Sequence, residues 1–195
     1  MDNIFENKLG LVLPGGGARG AYQVGVLKAI SEILPDSSKN PFPIMSGTSV
    51  GAINAVLLAA ESESFVNGVI KLNNTWSSFS SDRIYKTNPM SLFLSSLHWL
   101  LTLITAGILV KNPKSLLNND PLQRMLIEAV DFEGIQSNID KKNIEAIAVT
   151  CASYSKRSTS TFVQSNNSNL IWKKFHREGK NAVINISHLM ASVAL

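Results

Sequence analysis

The stretch "LGLVLPGGGARGAYQVGVLKAI", residues 9–30, places a short apolar run, a glycine-rich loop and a helix-like pattern in direct succession. The run at residues 9–13 is bounded by Pro14 and glycines, which is typical of a buried parallel strand. Apolar residues then recur at helical spacing over residues 21–34. The stretch therefore predicts a strand, a tight loop and a helix.

The glycine loop admits two functional interpretations. Gly15, Gly17 and Gly20 fit the spacing G-x-G-x-x-G of a dinucleotide-binding loop. The backbone amides of the same loop could instead hold the oxyanion of a reacting ester. A dinucleotide site favours an acidic residue at the end of the second strand, about 20 residues beyond the loop. Asp36 has nearly that spacing, but it precedes the second predicted strand.

A second glycine motif decides between these interpretations. Residues 47–51 read "GTSVG", a G-x-S-x-G, where a strand predicted at 42–46 meets an apolar helix predicted at 50–60. A serine on such a sharp turn projects its hydroxyl from the sheet edge, and the flanking glycines allow the strained backbone. Ser49 is thus the candidate nucleophile. The residues of the predicted elbow around it are Gly47, Thr48, Val50 and Gly51.

Both motifs follow neighbouring strands of one parallel sheet, so both are expected at its carboxyl-terminal edge. The amides of the first loop can then point at the atom that Ser49 attacks. We therefore interpret residues 15–20 as an oxyanion loop, with a cofactor phosphate as the alternative. Residues 144–152 and 159–164 predict further strands, and residues 181–195 predict a last helix. Nothing marks a boundary within residues 1–195, so we expect a single domain.

Residues 87–110 contain no charged side chain. Read as a helix, residues 90–110 carry a thin polar stripe on an otherwise apolar surface. Such a helix is about as long as a bilayer core is thick. It could be buried in the domain, lie on the membrane that carries the substrate, or span it. We favour the helix on the membrane surface.

The composition is apolar and mildly basic. Apolar residues make up 45% of the 195 residues and charged residues 16%, against about 25% in a typical soluble domain. The net charge of +4 suits an anionic membrane surface, and we expect no nucleic-acid partner. The start "MDNIFENKLG" lacks an apolar run, so it predicts no signal peptide and a cytoplasmic protein, peripheral at a membrane.

Cysteine and histidine contribute little to the predicted chemistry. Cys151 is the only cysteine, so the chain forms no internal disulfide and no cysteine metal cluster, and its apolar strand predicts a buried thiol. A serine hydrolase with a histidine would need that histidine late in the chain. His176 lies in "WKKFHREGK", which predicts a solvated face, and His188 lies on the predicted last helix as a packed or surface residue. His98 lies in the uncharged segment.

The segments "GGGARGAYQVGVL" and "GTSVGAINA", together with the late "HLMASVAL", resemble the bacterial form of the patatin-like phospholipases. The resemblance implies a three-layer α/β/α fold with a mainly parallel sheet. It also implies hydrolysis of phospholipids or other acyl-ester lipids by a Ser-Asp dyad, without histidine, metal or cofactor. By position Ser49 is the nucleophile. The implied oxyanion loop comprises Gly15, Gly16, Gly17, Ala18, Arg19 and Gly20.

The catalytic aspartate of that family lies in an Asp-Gly segment after the late helix. None of the chain's six aspartates is followed by glycine; they are Asp2, Asp36, Asp82, Asp120, Asp131 and Asp140. We therefore expect the chain to stop before that segment, and the domain to be incomplete at its carboxyl terminus. Two other functions stay open: an acyltransferase that uses the same acyl-serine, and an inactive module that binds a lipid or a nucleotide.

Overall fold

The computed structural model describes five stretches of the chain: residues 9–34, 39–78, 119–153, 156–167 and 169–194. The predicted helix at 87–110 lies outside these stretches. The chain divides into two compact units, one comprising residues 1–77 and 129–194 and the other residues 78–128 and 195. None of the helices in the described stretches combines the length and the apolar character needed to cross a membrane.

The larger unit is built on one six-stranded sheet with the order β1-β2-β3-β4-β6-β5. The strands are β1 (Gly10–Leu13), β2 (Ile44–Thr48), β3 (Ala146–Ser153), β4 (Ser158–Ser165), β5 (Trp172–Lys174) and β6 (Arg177–Asn181). The pairs β1–β2, β2–β3 and β4–β6 are parallel, whereas β3–β4 and β5–β6 are antiparallel. The predicted α/β fold with a mostly parallel sheet is confirmed.

The described residues also form several helices. A short 3-10 helix (Gly17–Arg19) leads into the first of them. The α-helices are α1 (Gly20–Ile33), α2 (Val50–Ala60), α3 (Phe65–Ser77), α4 (Asp120–Ala129), α5 (Phe132–Asp140) and α6 (Ile186–Val193). Of these, α4 belongs almost entirely to the smaller unit.

Helix α2 is the centre of the core. All 11 of its residues are buried, because it contacts β1, β2 and β3 as well as α1, α3, α5 and α6. Alternation along β2 turns Met45 and Gly47 into this core, whereas Ile44 on the other face is 41% exposed. Val12 of β1, which pairs with Ser46, is 74% exposed. The strands and the central helix thus meet tightly on one side of the sheet.

The structure differs from the sequence-based boundaries at β2 and at α6. The strand predicted at 42–46 lies at Ile44–Thr48, because pairing with β3 continues to Thr48. The helix predicted over 181–195 is wrong at its start. The chain remains a strand to Asn181, and α6 begins only at Ile186, where Asn185 caps it. Helix α5 and the hairpin of β5 and β6 were not predicted at all.

Candidate active site

Ser49 occupies the junction between β2, which ends at Thr48, and α2, which begins at Val50. Its backbone has φ 55° and ψ −128°, a positive φ that residues with a side chain rarely adopt. Strain of this kind persists only where surrounding contacts impose it, and it concentrates at functional sites. The Oγ of half-buried Ser49 makes no hydrogen bond to any described residue. The hydroxyl is therefore available to a reacting group.

The two glycines of the motif bring the backbone closer than a side chain would permit. A Cβ on Gly47 would collide with the carbonyl oxygen of Gly51 and lie 2.5 Å from the Cα of Ala52. A Cβ on Gly51 would collide with the carbonyl oxygen of Leu13 and lie 2.6 Å from that of Pro14. Helix α2 thus starts directly against the ends of β1 and β2.

The glycine-rich loop lies directly beside Ser49. A Cβ on Gly15 would lie 3.2 Å from the Cβ of Ser49 and 3.9 Å from its Oγ. The loop turns at Gly17, where φ is 55°, a conformation that glycine adopts without strain. Residues 15–19 are exposed, and no hydrogen bond between described residues uses the backbone N–H of Gly15 or Gly16. The two sequence motifs therefore meet, with free amides next to the hydroxyl.

The later loop residues have contrasting surroundings. Ala18 and Arg19 are exposed, and the guanidinium of Arg19 forms no ion pair with a described residue. Gly20 is buried against the side chains of Trp76 and Val50. A Cβ at this position would lie 2.5 Å from the indole of Trp76 and 2.6 Å from the Cγ2 of Val50. Arg19 can thus meet an anion at the rim of the site, whereas Gly20 serves the packing of α1 on α2 and α3.

Polar side chains fasten the glycine loop to the helices behind it. The Nε2 of Gln23 donates to the carbonyl oxygen of Pro14 at 2.7 Å. The fully buried Asn54 donates from its Nδ2 to the Oε1 of Gln23 at 2.9 Å and to the carbonyl oxygen of Gly20 at 3.1 Å. Its Oδ1 accepts from the Nε1 of Trp76 at 2.8 Å. Asn54 thereby links the loop to α1, α2 and α3.

Ser192 of α6 holds the backbone of Ser49. The N–H of Ser49 donates to the Oγ of Ser192 at 2.7 Å. The same Oγ donates to the carbonyl oxygen of Thr150 in β3, also at 2.7 Å. Sequence analysis missed this residue because 143 positions separate it from Ser49, and no spacing rule connects them.

Neither late histidine is hydrogen-bonded to Ser49. The Nδ1 of His188 accepts from the backbone N–H of Asn185 at 3.2 Å, and its ring packs on Phe162 with centroids 4.4 Å apart. Burial lowers the pKa of His188, so the ring is neutral near pH 7. His176 lies in the exposed turn between β5 and β6. These positions agree with the packed and solvated roles expected from the sequence.

Cys151 lies in β3, where the predicted buried thiol is confirmed. Its Sγ approaches the carbonyl oxygen of His188 at 3.5 Å. Burial raises the pKa of the thiol, which keeps it protonated and unreactive. Cys151 is therefore part of the packing between β3 and α6.

The two described aspartates of the larger unit belong to α5. Asp131 caps this helix by accepting from the N–H of Gly134 at 3.1 Å. Asp140 ends it, and hydrogen bonds from Asn166 and Gln136 lower the pKa of its carboxyl group. Neither carboxylate is hydrogen-bonded to Ser49. In the smaller unit Asp120 begins α4; the remaining aspartates, Asp2, Asp36 and Asp82, lie outside the described residues.

Comparison with known proteins gives a consistent result. The family model described as patatin-like phospholipase matches residues 11–195. Over 55 residues, the chain is 49% identical to lysophospholipase nte1 of Aspergillus terreus. Over the same length, it is 47% identical to patatin-like phospholipase domain-containing protein 7 of Rattus norvegicus and 46% identical to neuropathy target esterase sws of Drosophila persimilis.

Each of these alignments covers 28% of this chain but only 3% to 4% of the relative. No solved structure gives a significant match. The family match, in contrast, includes the glycine loop, the "GTSVG" elbow and the helix that carries Ser192. The chain therefore belongs to the patatin-like phospholipase family.

Proposed function

We propose that this protein hydrolyses the acyl esters of phospholipids or lysophospholipids through an acyl-serine formed at Ser49. The observation that carries the proposal is the unbonded hydroxyl of Ser49 on a strained elbow beside the free amides of Gly15 and Gly16. A nucleophile needs a fixed hydroxyl that makes no competing hydrogen bond, and the developing oxyanion needs preorganised donors within reach. The elbow and the glycine loop lie together at one edge of the sheet, and this position supports the proposal.

In the first step, the Oγ of Ser49 attacks the carbonyl carbon of the ester, and its proton passes to a base. The carbonyl oxygen becomes an oxyanion, which the amides of the glycine loop stabilise more strongly than the ground state. Collapse of this intermediate breaks the ester bond, and the leaving alcohol takes the proton. Water then attacks the acyl-serine in the same way and releases the fatty acid.

The base in this proposal is the aspartate of a Ser-Asp dyad. No histidine in the described residues is hydrogen-bonded to Ser49, and Asp131 and Asp140 make their hydrogen bonds at the two ends of α5. The family resemblance assigns the base to an Asp-Gly segment, which none of the chain's aspartates matches. Arg19, unpaired among the described residues, supports the proposal because its cation suits the phosphate of a phospholipid substrate.

The names of the relatives support the proposed substrate class. Their printed names describe a lysophospholipase, a phospholipase domain-containing protein and an esterase. All three names fit acyl-ester hydrolysis on a lipid, which is also the chemistry that the elbow and the loop can perform.

The test compares Ser49→Ala with the wild-type full-length protein on a lysophospholipid and on a short p-nitrophenyl ester. We expect Ser49→Ala to abolish release of fatty acid and of nitrophenol while its unfolding transition stays close to wild type. Ser31→Ala is the matched control, because the Ser31 hydroxyl only donates to the carbonyl oxygen of Lys28 in α1. Full activity of Ser49→Ala would refute the proposal. So would micromolar binding of NAD(P) or a flavin, because the loop would then hold a cofactor.

A further inference from the structure

The hairpin of β5 and β6 exposes apolar side chains to solvent. Phe175, at its turn, is 88% exposed, and Ile171, just before β5, is 63% exposed. Trp172 lies over Gly179 of the neighbouring strand, where a Cβ would lie 2.7 Å from the indole Cδ1. Trp172 thus rigidifies the hairpin, whereas Phe175 projects from its turn, where its ring lies edge-to-face against that of His176 with centroids 3.9 Å apart.

Cations surround this exposed turn. Lys173, Lys174 and Arg177 belong to the hairpin itself, and Lys156 and Arg157 lie in the adjacent turn before β4. All five side chains are exposed. We call this set, together with Phe175, the basic tip.

The two turns of the basic tip are joined by backbone contacts. Thr159 pairs with Arg177, and its N–H donates to the carbonyl oxygen of His176 at 2.8 Å. Between them lies an open cavity of about 360 Å³ whose lining includes Arg157, His176 and Arg177. The only acidic residue from 156 to 180 is Glu178, which is paired with Lys180 at 2.6 Å. The tip therefore presents a nearly uncompensated positive surface.

The basic tip lies at the same sheet edge as Ser49. Strands β1, β2 and β3 are parallel, and the glycine loop and the elbow follow the ends of β1 and β2. Because β4 is antiparallel to β3, it begins at that edge, and β6, parallel to β4, begins there too. The turns before β4 and β6 are therefore on the side of the site.

Acidic residues gather at the other edge. Glu61 and Glu63 follow the end of α2, and Glu145 directly precedes β3. Two of these carboxylates are moreover neutralised by lysines, since Lys71 pairs with Glu61 and Lys141 pairs with Glu63. The sheet thus separates a basic edge, which carries the candidate active site, from an edge of mixed charge.

We propose that the basic tip is a docking surface for an anionic phospholipid bilayer, with Phe175 inserted among the lipids and the five cations on the headgroup phosphates. An aromatic side chain beside several cations is a composition that favours binding at an anionic lipid surface. The cavity between Arg157 and Arg177 accommodates one lipid phosphate. Docking at the basic tip would turn Ser49 toward the substrate, and this consequence for catalysis rests on the proposed function. The binding of vesicles by the basic tip does not depend on that function.

The test is flotation of the full-length protein with vesicles of phosphatidylcholine alone and of phosphatidylcholine with phosphatidylglycerol. We expect binding to the anionic vesicles that weakens with added salt, since exposed charges are screened. Lys173→Gln with Lys174→Gln should weaken it by roughly tenfold or more. Phe175→Ser should weaken it by roughly tenfold.

The matched controls make the same types of substitution at the opposite edge of the sheet, away from the candidate active site. Lys39→Gln with Lys142→Gln removes two exposed lysines that precede β2 and β3, and Ile33→Ser removes an exposed apolar side chain at the end of α1. Both controls should float like wild type. Circular dichroism establishes that every variant is folded.

Four results would overturn the docking proposal: equal loss of binding in the controls, equal binding to neutral vesicles, no flotation of folded wild type, or binding to duplex nucleic acid in preference to vesicles. Ester cleavage, measured beside flotation, distinguishes failure of the proposed function from failure of the docking proposal. A wild type that cleaves the soluble ester but does not float keeps the function and loses the docking surface. A Ser49→Ala variant that floats normally yet stays active keeps the docking surface and loses the function.

Discussion

At the scale of single residues, the geometry of Ser49 depends on one hydroxyl far along the chain. The N–H of Ser49 donates a hydrogen bond to the Oγ of Ser192, which in turn donates to the carbonyl oxygen of Thr150. A buried N–H without an acceptor is costly, so this contact offsets part of the strain at the elbow. Ser192 is thus a positioning residue for the candidate nucleophile.

Ser192→Ala should lower kcat on the soluble ester by roughly ten- to a hundredfold, because even a small displacement of the attacking oxygen slows the reaction strongly. KM should change little, since Ser192 lies behind the elbow. Ser187→Ala, an exposed position on the same helix, should behave like wild type. Steady-state kinetics of both variants checks this, and a wild-type kcat in Ser192→Ala would contradict the positioning role.

Gly51 and Gly25 form a matched pair for stability. A Cβ on Gly51 would collide with the carbonyl oxygen of Leu13, so Gly51→Ala should lower the free energy of unfolding by about 3 kcal/mol or prevent folding. Gly25 has open space around its Cα in the middle of α1, so Gly25→Ala should raise stability by about 0.5–1 kcal/mol. Urea denaturation measures both. A Gly51→Ala protein as stable as wild type would contradict the close approach of Gly51 to the carbonyl oxygen of Leu13.

At the scale of elements, α6 depends on its first turn. Asn185 accepts from the N–H of Ser187 at 3.0 Å, and the Nδ1 of His188 accepts from the N–H of Asn185. This capping box fixes the residue at which α6 begins. It thereby also fixes the position of Ser192, which lies about two turns further along the helix. A protonated His188 cannot accept that hydrogen bond.

The cap predicts a pH dependence of stability. Burial lowers the pKa of His188 in the folded protein, whereas in the unfolded chain it stays near the ordinary value of about 6.5. The unfolded state therefore binds the proton first, and stability is lost as pH falls below about 6.5 toward the lower folded pKa. His188→Gln keeps an acceptor without titrating, so its stability should fall less between pH 7 and pH 5.

Denaturation of His188→Gln and wild type across that pH range provides the comparison. His176→Asn is the control, because His176 lies exposed in a turn with φ 56°, a conformation that asparagine tolerates. It should follow the wild-type pH profile. Identical slopes for His188→Gln and wild type would exclude His188 as the titrating group.

The elements show which parts of the fold local sequence can predict. The run from β1 to α2 was predictable because a buried strand, a glycine loop and an apolar helix each leave a local pattern. Helix α2 begins and ends at the predicted residues, 50 and 60. The hairpin of β5 and β6 leaves no such pattern, since both strands are short and rich in charged residues, and β5 is an exposed edge strand. The bond between Ser192 and Ser49 depends on tertiary packing, which no spacing in the sequence encodes.

At the scale of the whole molecule, the prediction of a single domain over residues 1–195 and the interpretation of residues 87–110 both stay predictions. The larger unit, in contrast, has a definite organisation. One edge of its sheet carries the candidate nucleophile Ser49, the free amides of the glycine loop and the basic tip, and the other carries Glu61, Glu63 and Glu145. This arrangement suits an enzyme that acts on an anionic, insoluble lipid, because attraction of the basic tip to the lipid surface would also orient the candidate active site toward it.

The central claim is that Ser49 is the nucleophile, and covalent labelling tests it most directly. The full-length protein is treated with a fluorophosphonate, which is attacked by an activated serine and loses fluoride, and the adduct is located by mass spectrometry of peptides. The account predicts one phosphonyl group, on the peptide that contains Ser49, and no label after Ser49→Ala. Labelling of a different serine, or undiminished labelling of the Ser49→Ala protein, would contradict it.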